Sequence, residues 1–328
     1  MAIIFAESRL DFKYKKFLRE LANEYHLLTF SGVLKLAFKP LPKTQQCYFH
    51  VRYLKWRGPR LTRLYYTILI AICQVRNIRL VYTCHNLWEH NFQNKQVNLR
   101  VRTFLMKHAH DIIVLNESLR DYLIEENAQL ANKVKVAHFS DFSEYFDSQD
   151  EPNEDFQKKY DAWLSRRGID RPDLLLVSAS YRSLESFKPL FNQSTYHVLC
   201  IVPNLIVKDG FGDKVMLYHE GFVKKEVTDL LNMPGMIGLV GLDNGSVATS
   251  LYMFASYGIP MLVLDRPPMD RLTTEFEIGE LFDLEDDLDQ KISQVNNDYQ
   301  RYRAGCKNLL KAHTWEKSYE LHRTVFTG

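Results

Sequence analysis

Two stretches of this chain combine residue types at spacings that suit chemistry. In Val81-Tyr-Thr-Cys-His85-Asn86-Leu-Trp-Glu89-His90, two imidazoles and a carboxylate follow an apolar run. His85, Glu89 and His90 are the tight group of proton acceptors in this half of the chain, as general acid–base catalysis requires. The two histidines also invite a metal reading, but they stand five apart with no third ligand nearby, which is poor metal spacing. A plainer alternative has His85 and Asn86 capping a turn through backbone hydrogen bonds. The second stretch, residues 236–265, reads as a strand at Met236–Leu242, a polar turn at Asp243–Ser246, a helix at about 247–257 and a strand at Met261–Leu264. Gly258 suits the left-handed position after that helix, and Pro260 prevents its continuation. Asn244 and Ser246 suit the helix cap, and Gly245 lets a ligand approach the backbone N–H groups, where a phosphate is the natural occupant. An ordinary strand-to-helix turn fits the same residues.

The elements that must position these groups alternate along the chain. In the first half, strands are expected at about 2–6, 27–31, 47–51, 79–84, 111–115 and 134–138, with helices at about 10–24, 60–77, 97–109 and 117–127. Helix 60–77 sets Leu61, Leu64, Tyr65, Ile68, Ile72 and Val75 on one stripe, which predicts a core-facing amphipathic helix. Residues 147–172 are charged and contain Pro152 and Pro172, marking a connection with a helix at 154–166. The second half restarts at Leu174–Ser180, with a helix near 184–192, strands near 197–202, 214–218, 236–241 and 261–264, and closing helices at 285–311 and 314–326. Alternation of this kind predicts α/β units with parallel sheets.

At 328 residues the chain exceeds one usual hydrophobic core, so two domains are expected. Its five scattered cysteines, without C-x-x-C spacing, fit a reduced intracellular protein with no structural zinc. The apolar strand Ala2–Phe5 opens the chain, so no signal peptide is expected. The longest apolar run, Leu64–Cys73, is too short to span a bilayer. The expected location is cytoplasmic. Charge is strongly divided: residues 1–110 hold 19 Lys+Arg against 5 Asp+Glu, a net of +14, and the rest hold 23 against 35, a net of −12. Such asymmetry implies an anionic partner for the first half. No RNA-binding or helix-turn-helix signature accompanies it, so nucleic acid is not expected as a partner. The basic residues instead interleave with bulky apolar ones, at Phe12–Arg19, Leu34–Lys39 and Tyr53–Tyr66. That is the composition of a face binding an anionic membrane surface, with Lys13, Lys15, Lys16, Arg19 and Trp56 as its membrane-facing candidates; a merely solvated basic face is the plainer alternative.

Asn-Gly-Ser at 244–246, followed by a helix and Tyr-Gly-Ile-Pro, resembles the diphosphate-binding segment of GT-B glycosyltransferases. Where many retaining members carry a glutamate, this chain has Met253. The segment 81–90 is similar to the strand followed by "T-x-H-N" and a second histidine of bacterial exopolysaccharide and capsule glycosyltransferases. Val177-Ser-Ala-Ser-Tyr181-Arg182 resembles their "G-x-i-R-x-x-K-G", with Arg182 matching and Glu185 in place of the lysine, Lys188 being the nearest one. Gly221-Phe222-Val223 corresponds to a segment whose backbone contacts the nucleobase, and His138 ends a strand that reaches the cleft.

The resemblance implies a GT-B fold: two Rossmann-like domains with parallel sheets facing across a cleft. Residues 1–150 are expected to bind the acceptor, 151–310 the nucleotide-sugar, and 311–328 to form a closing helix that crosses back to the first domain. It implies His85 and Glu89 as catalytic residues, Arg182, Asn244, Gly245 and Ser246 at the donor diphosphate, and Asn86, His90 and His138 lining the cleft. A departing diphosphate needs compensating positive charge or helix N-termini. The chain lacks an obvious D-x-D motif, and Asp283–Asp289 reads as the acidic start of a surface helix. Transfer is therefore expected without metal or other cofactor, from a UDP- or GDP-sugar donor to a lipid-linked glycan acceptor at the inner membrane face. A non-catalytic GT-B-like binding or partner protein, or another GT-B enzyme such as a nucleotide-sugar epimerase, are the alternatives.

Overall fold

The computed structural model describes every residue except 1, 7–21, 43–44, 55–57, 87–94, 147–149, 179–183, 204, 206–208, 242–246 and 328. Its contacts divide the chain into two units. One holds Met1–His138 with Trp315–Gly328, the other Phe139–Asp243 with Val247–Thr314.

In chain order the first unit contains β1 (Ala2–Ala6), β2 (Ala22–Leu27), α1 (Phe30–Leu36), β3 (Cys47–Val51), α2 (Pro59–Val75), β4 (Arg79–Cys84), α3 (Lys95–His108), β5 (Asp111–Val114), α4 (Glu117–Glu126) and β6 (Val134–Val136). The second contains α5 (Ser143–Phe146), α6 (Glu154–Arg167), β7 (Leu174–Val177), α7 (Lys188–Gln193), β8 (Val198–Ile201), β9 (Val215–Tyr218), α8 (Lys224–Leu231), β10 (Ile237–Val240), α9 (Thr249–Ser256), β11 (Met261–Leu264), α10 (Met269–Phe276), β12 (Gly279–Phe282), α11 (Leu288–Asn297) and α12 (Tyr299–Ala312). The closing helix α13 (Trp315–Thr327) belongs to the first unit.

The strands form two six-stranded sheets, ordered β2-β1-β3-β4-β5-β6 and β12-β11-β10-β7-β8-β9, with every pairing parallel. Parallel strands covered on both faces are apolar throughout, and their side chains alternate between the two layers. Phe49, Leu80 and Ile112 point to one layer with Val33 of α1, Leu69 of α2, Leu105 of α3 and Leu119 of α4. Ile4, Tyr48, Val81 and Ile113 point to the other, where they meet Val325 and Phe326 of α13.

Three expectations are corrected. The second strand is Ala22–Leu27 rather than 27–31: Thr29 accepts a hydrogen bond from Gly32 N and starts α1, which the sequence reading lacked. The helix expected at 10–24 therefore ends inside β2, and its residues 10–21 lie outside the described ones. In α2 the stripe faces the wrong way. Tyr65 and Ile72 are buried, but Leu61, Leu64 and Val75 are exposed, and the core is made instead with Tyr66, Leu69, Ile70 and Cys73. The helix is apolar on both sides, so periodicity alone does not choose the inner one.

Candidate functional site

Ligands of open parallel sheets collect beyond the carboxyl ends of the strands, above all where strand order reverses. In the first sheet the reversal lies between β1 and β3, and Arg52 and Tyr53 are the residues that leave β3. His85 leaves the neighbouring β4. The Tyr53 and His85 rings are stacked, 4.6 Å apart at 9°, and the Arg52 guanidinium carbon is 5.3 Å from the Tyr53 ring centre. Arg52 is 1% exposed and His85 8%, whereas Tyr53 is 40% exposed and covers them. Below this stack, His50 Nε2 and Thr83 Oγ1 share a buried hydrogen bond of 2.8 Å. The Cys84 thiol donates to the Asn86 carbonyl at 3.3 Å, which fixes the turn after β4.

Further along this edge, Asn116 caps α4 by accepting from Leu119 N at 2.7 Å. The adjacent Glu117 carboxylate lies 3.0 Å from His138 Nε2 at the end of β6. Ser318 of α13 donates to the His138 carbonyl at 2.6 Å, fixing that backbone from the other side. An imidazole oriented by a carboxylate has a defined ring position and can hold or pass a proton. The first edge thus brings His85 and Asn86 together in one turn and His138 to the outer strands. Glu89 and His90 lie outside the described residues, as do Lys13, Lys15, Lys16, Arg19 and Trp56. Sequence reasoning passed over Arg52, Tyr53 as a partner of His85, and Glu117. The rule that picked out His85, a polar residue just past an apolar strand, applies equally to Arg52.

The second sheet builds its edge differently. Its order reverses between β7 and β10, which pair through Leu174 with Ile237 and Leu175 with Gly238. Val177 and Val240 therefore end side by side. The segments that continue from them carry Arg182 and Asn244–Ser246, which lie outside the described residues. Backbone dominates what is described here. A Cβ on Gly241 would stand 2.4 Å from Phe187 Cζ, so only glycine lets the ring close under the strand end. Helix α9 begins at Thr249 with Ala248 as its cap residue and no side-chain cap bond. Asn244 and Ser246, expected to cap it, lie outside the described residues, and buried Val247 and Ala248 lead into its first turn. Gly258 has φ 64, as expected for the residue that stops this helix.

Gly221 has φ 153, a conformation that favours glycine, and a Cβ there would meet nothing within 4 Å. Phe222 is 38% exposed, while Val223 is buried and precedes α8. Glu226, buried in α8, accepts a hydrogen bond from Asn153 N and ties down the start of α6. Lys188 lies 3.1 Å from the Glu185 carboxylate and over the Phe211 ring, which occupies it locally. Met253 is buried in α9. Asp287 accepts from Asp289 N and Gln290 N at the start of α11, and Asp289 accepts from Ser194 and Thr195. The acidic run is thus engaged in helix capping and loop anchoring.

No protein-family model matches the chain, and no curated protein matches it in sequence. Solved structures do. The Anabaena protein Alr3699/HepE in complex with UDP-glucose is similar over 100% of this chain and 99% of its own, at 12% identity and a TM-score of 0.66. A glycosyltransferase from Rickettsia africae ESF-5 is similar over 99% of this chain and 89% of its own, at 11% identity and a TM-score of 0.59. WaaG, a glycosyltransferase involved in lipopolysaccharide biosynthesis, covers 99% and 100%, at 10% identity and a TM-score of 0.55. Likeness at such identities speaks for architecture, since one fold hosts many activities. With two parallel six-stranded sheets flanked by helices, this chain has the GT-B fold of the glycosyltransferase structures it resembles.

Proposed function

We propose that the chain is a glycosyltransferase that moves a sugar from a nucleotide-sugar, a UDP- or GDP-sugar, to a glycan acceptor on a polyprenyl diphosphate. The second unit takes the donor and the first takes the acceptor, at the cytoplasmic face of an anionic membrane, in assembly of an exopolysaccharide or similar glycan. One observation carries the donor half. The pairing of β7 with β10 makes adjacent strand ends at the order reversal, and the two segments that continue from them contain the candidate diphosphate residues. The Alr3699/HepE structures that hold UDP and UDP-glucose support the same ligand class. The lipid-borne acceptor is supported by the net +14 of residues 1–110 against the −12 of the remainder.

Calorimetric titration with UDP and GDP tests the donor half. Arg182→Ala should weaken nucleoside-diphosphate binding by about 1.5–3 kcal/mol, the scale of a charge-assisted hydrogen bond. Unchanged affinity, or no binding of either nucleotide by the wild type, would overturn it. A non-catalytic binding protein on the same fold is the second reading, favoured by the buried Met253 at a position where retaining members carry glutamate. Slow hydrolysis of UDP-glucose or GDP-glucose without acceptor decides for the enzyme. Nucleotide binding without any turnover decides for the binding protein.

A further inference from the structure

Helix α2 hides one apolar side and displays another. Leu61, Leu64, Ile68 and Val75 fall within one narrow stripe of its surface at 100° per residue. Leu61 is 61% exposed, Leu64 55% and Val75 84%. Helix α1 continues this surface. Phe30 and Leu34 lie on its outer side, and Phe38, in the turn just past its end, is 89% exposed. The Phe30 ring packs on Tyr65 of α2 at 5.3 Å, and Arg76, just past α2, donates to the Lys39 carbonyl in the segment after α1 at 2.6 Å, so the two helices are held together. Large apolar side chains grouped on an exposed face mark a contact site.

The charges around it select the occupant. Between Glu24 and Glu89 the chain has no acidic residue and ten Lys or Arg. Four of these are exposed on this part of the first unit: Lys35 on α1, Lys39 just past its end, and Arg60 and Arg63 on α2. A second copy of the chain would press these cations against themselves, which like-charge juxtaposition disfavours. Nucleic acid would leave the Leu61–Val75 stripe without a partner. An anionic leaflet satisfies both properties, with acyl boundary for the stripe and phosphate for the cations.

We infer that the α1–α2 face docks the first unit on an anionic lipid bilayer, with α2 lying along the headgroup boundary. Its 17 residues give a contact about 25 Å long at 1.5 Å per residue. Among the described residues no helix is long and apolar enough to cross a membrane, so the helix lies on the surface rather than through it. This deepens the reading of a lipid-borne acceptor and rests on that reading for its purpose alone.

Sedimentation with phosphatidylcholine vesicles, with and without phosphatidylglycerol, tests the inference. The wild type should bind the anionic vesicles, bind neutral ones weakly, and be released by about 0.5 M salt, where screening is short-ranged. Leu61→Gln/Leu64→Gln/Val75→Gln removes only exposed side chains, so its melting temperature should hold while partitioning falls at least about tenfold. Lys35→Glu/Lys39→Glu/Arg60→Glu/Arg63→Glu should lower binding to anionic vesicles at least about 100-fold, given about one decade or less per charge near the surface. UDP affinity should be the same in all three proteins. Equal binding of the wild type to both vesicle types, unchanged binding by both variants, or a lipid-free dimer that the leucine variant disperses would each overturn it. A wild type that binds anionic vesicles but no nucleotide upholds this docking face and overturns the donor assignment instead.

Discussion

The two sheet edges solve the same positional problem with different materials. The first presents side chains: Arg52, Tyr53 and His85 in one stack, and Glu117 with His138 further along. The second presents backbone: Gly221 at φ 153, Gly241 pressed on Phe187, and a helix whose cap residue is Ala248. Free N–H groups at a helix start, with small residues around them, suit an anion that needs close backbone approach. Oriented imidazoles suit proton transfer. The difference teaches that two edges of like topology can be built for different chemistry, side chains at one and backbone at the other.

The strongest way to break that comparison is at His85. If the first edge carries the proton chemistry, His85→Ala should cut the transfer rate by about 10²–10⁴-fold, the range for a lost acid–base group. Its stability should fall by only about 1 kcal/mol, from the lost stacking on Tyr53. Turnover and thermal melting of the same preparation check this. A variant that keeps its rate per folded molecule and melts well below the wild type makes His85 a turn residue, and the first edge loses its chemical role.

Gly241→Ala probes the second edge and should act on stability. The added carbon would meet Phe187, a fully buried ring held beside Phe191 and Phe282 at 5.6 and 6.3 Å, so the ring has nowhere to swing. Overpacking of this kind costs about 1–3 kcal/mol, readable by chemical denaturation. Phe187→Leu in the same chain should recover part of the loss. Full stability in Gly241→Ala would mean that the strand end is not shaped by glycine, and the contrast between the edges would weaken.

What the sequence disclosed follows the same line. Strands at 47–51 and 79–84 were legible because buried parallel strands are apolar runs, and the stop at Gly258 because left-handed backbone favours glycine. His85, Asn86 and His138 were legible as edge residues because a strand's end fixes where the next side chain stands. Strand Ala22–Leu27 was not, since Ala-Asn-Glu-Tyr-His-Leu has no apolar signature and is held by its pairing with β1. Helix α2 carries two apolar stripes, and nothing local says which is covered. The Tyr53–His85 stack joins residues on different strands, a relation that only the sheet order supplies.

The smallest expected effect sharpens the comparison from the opposite edge of the first sheet, where charges serve cohesion. Asp111 at the start of β5 lies 3.3 Å from Arg79 and 2.8 Å from Lys135, joining three neighbouring strands. Beside it, His110 Nδ1 accepts a hydrogen bond from Leu80 N at 3.0 Å, which requires the ring to be unprotonated on that nitrogen. Burial, and then the Arg79 charge, lower the His110 pKa from its ordinary value. The sign follows. Protonation is harder in the folded chain than in the unfolded one, so the contribution of His110 is complete above the unfolded value of about 6.5. It is lost as pH falls through the lower folded value. His110→Asn keeps an acceptor for Leu80 N but does not titrate, so its stability should decline less than the wild type's between about pH 7.5 and 5. Denaturation curves of both proteins across that interval check this, and parallel profiles would show that His110 does not couple to folding. Because the ring is partly exposed, solvent screens the effect and the separation should be small. An amino edge that answers to pH through stability, beside a carboxyl edge that answers to substitution through rate, is the outcome expected if the two ends of one sheet serve different purposes.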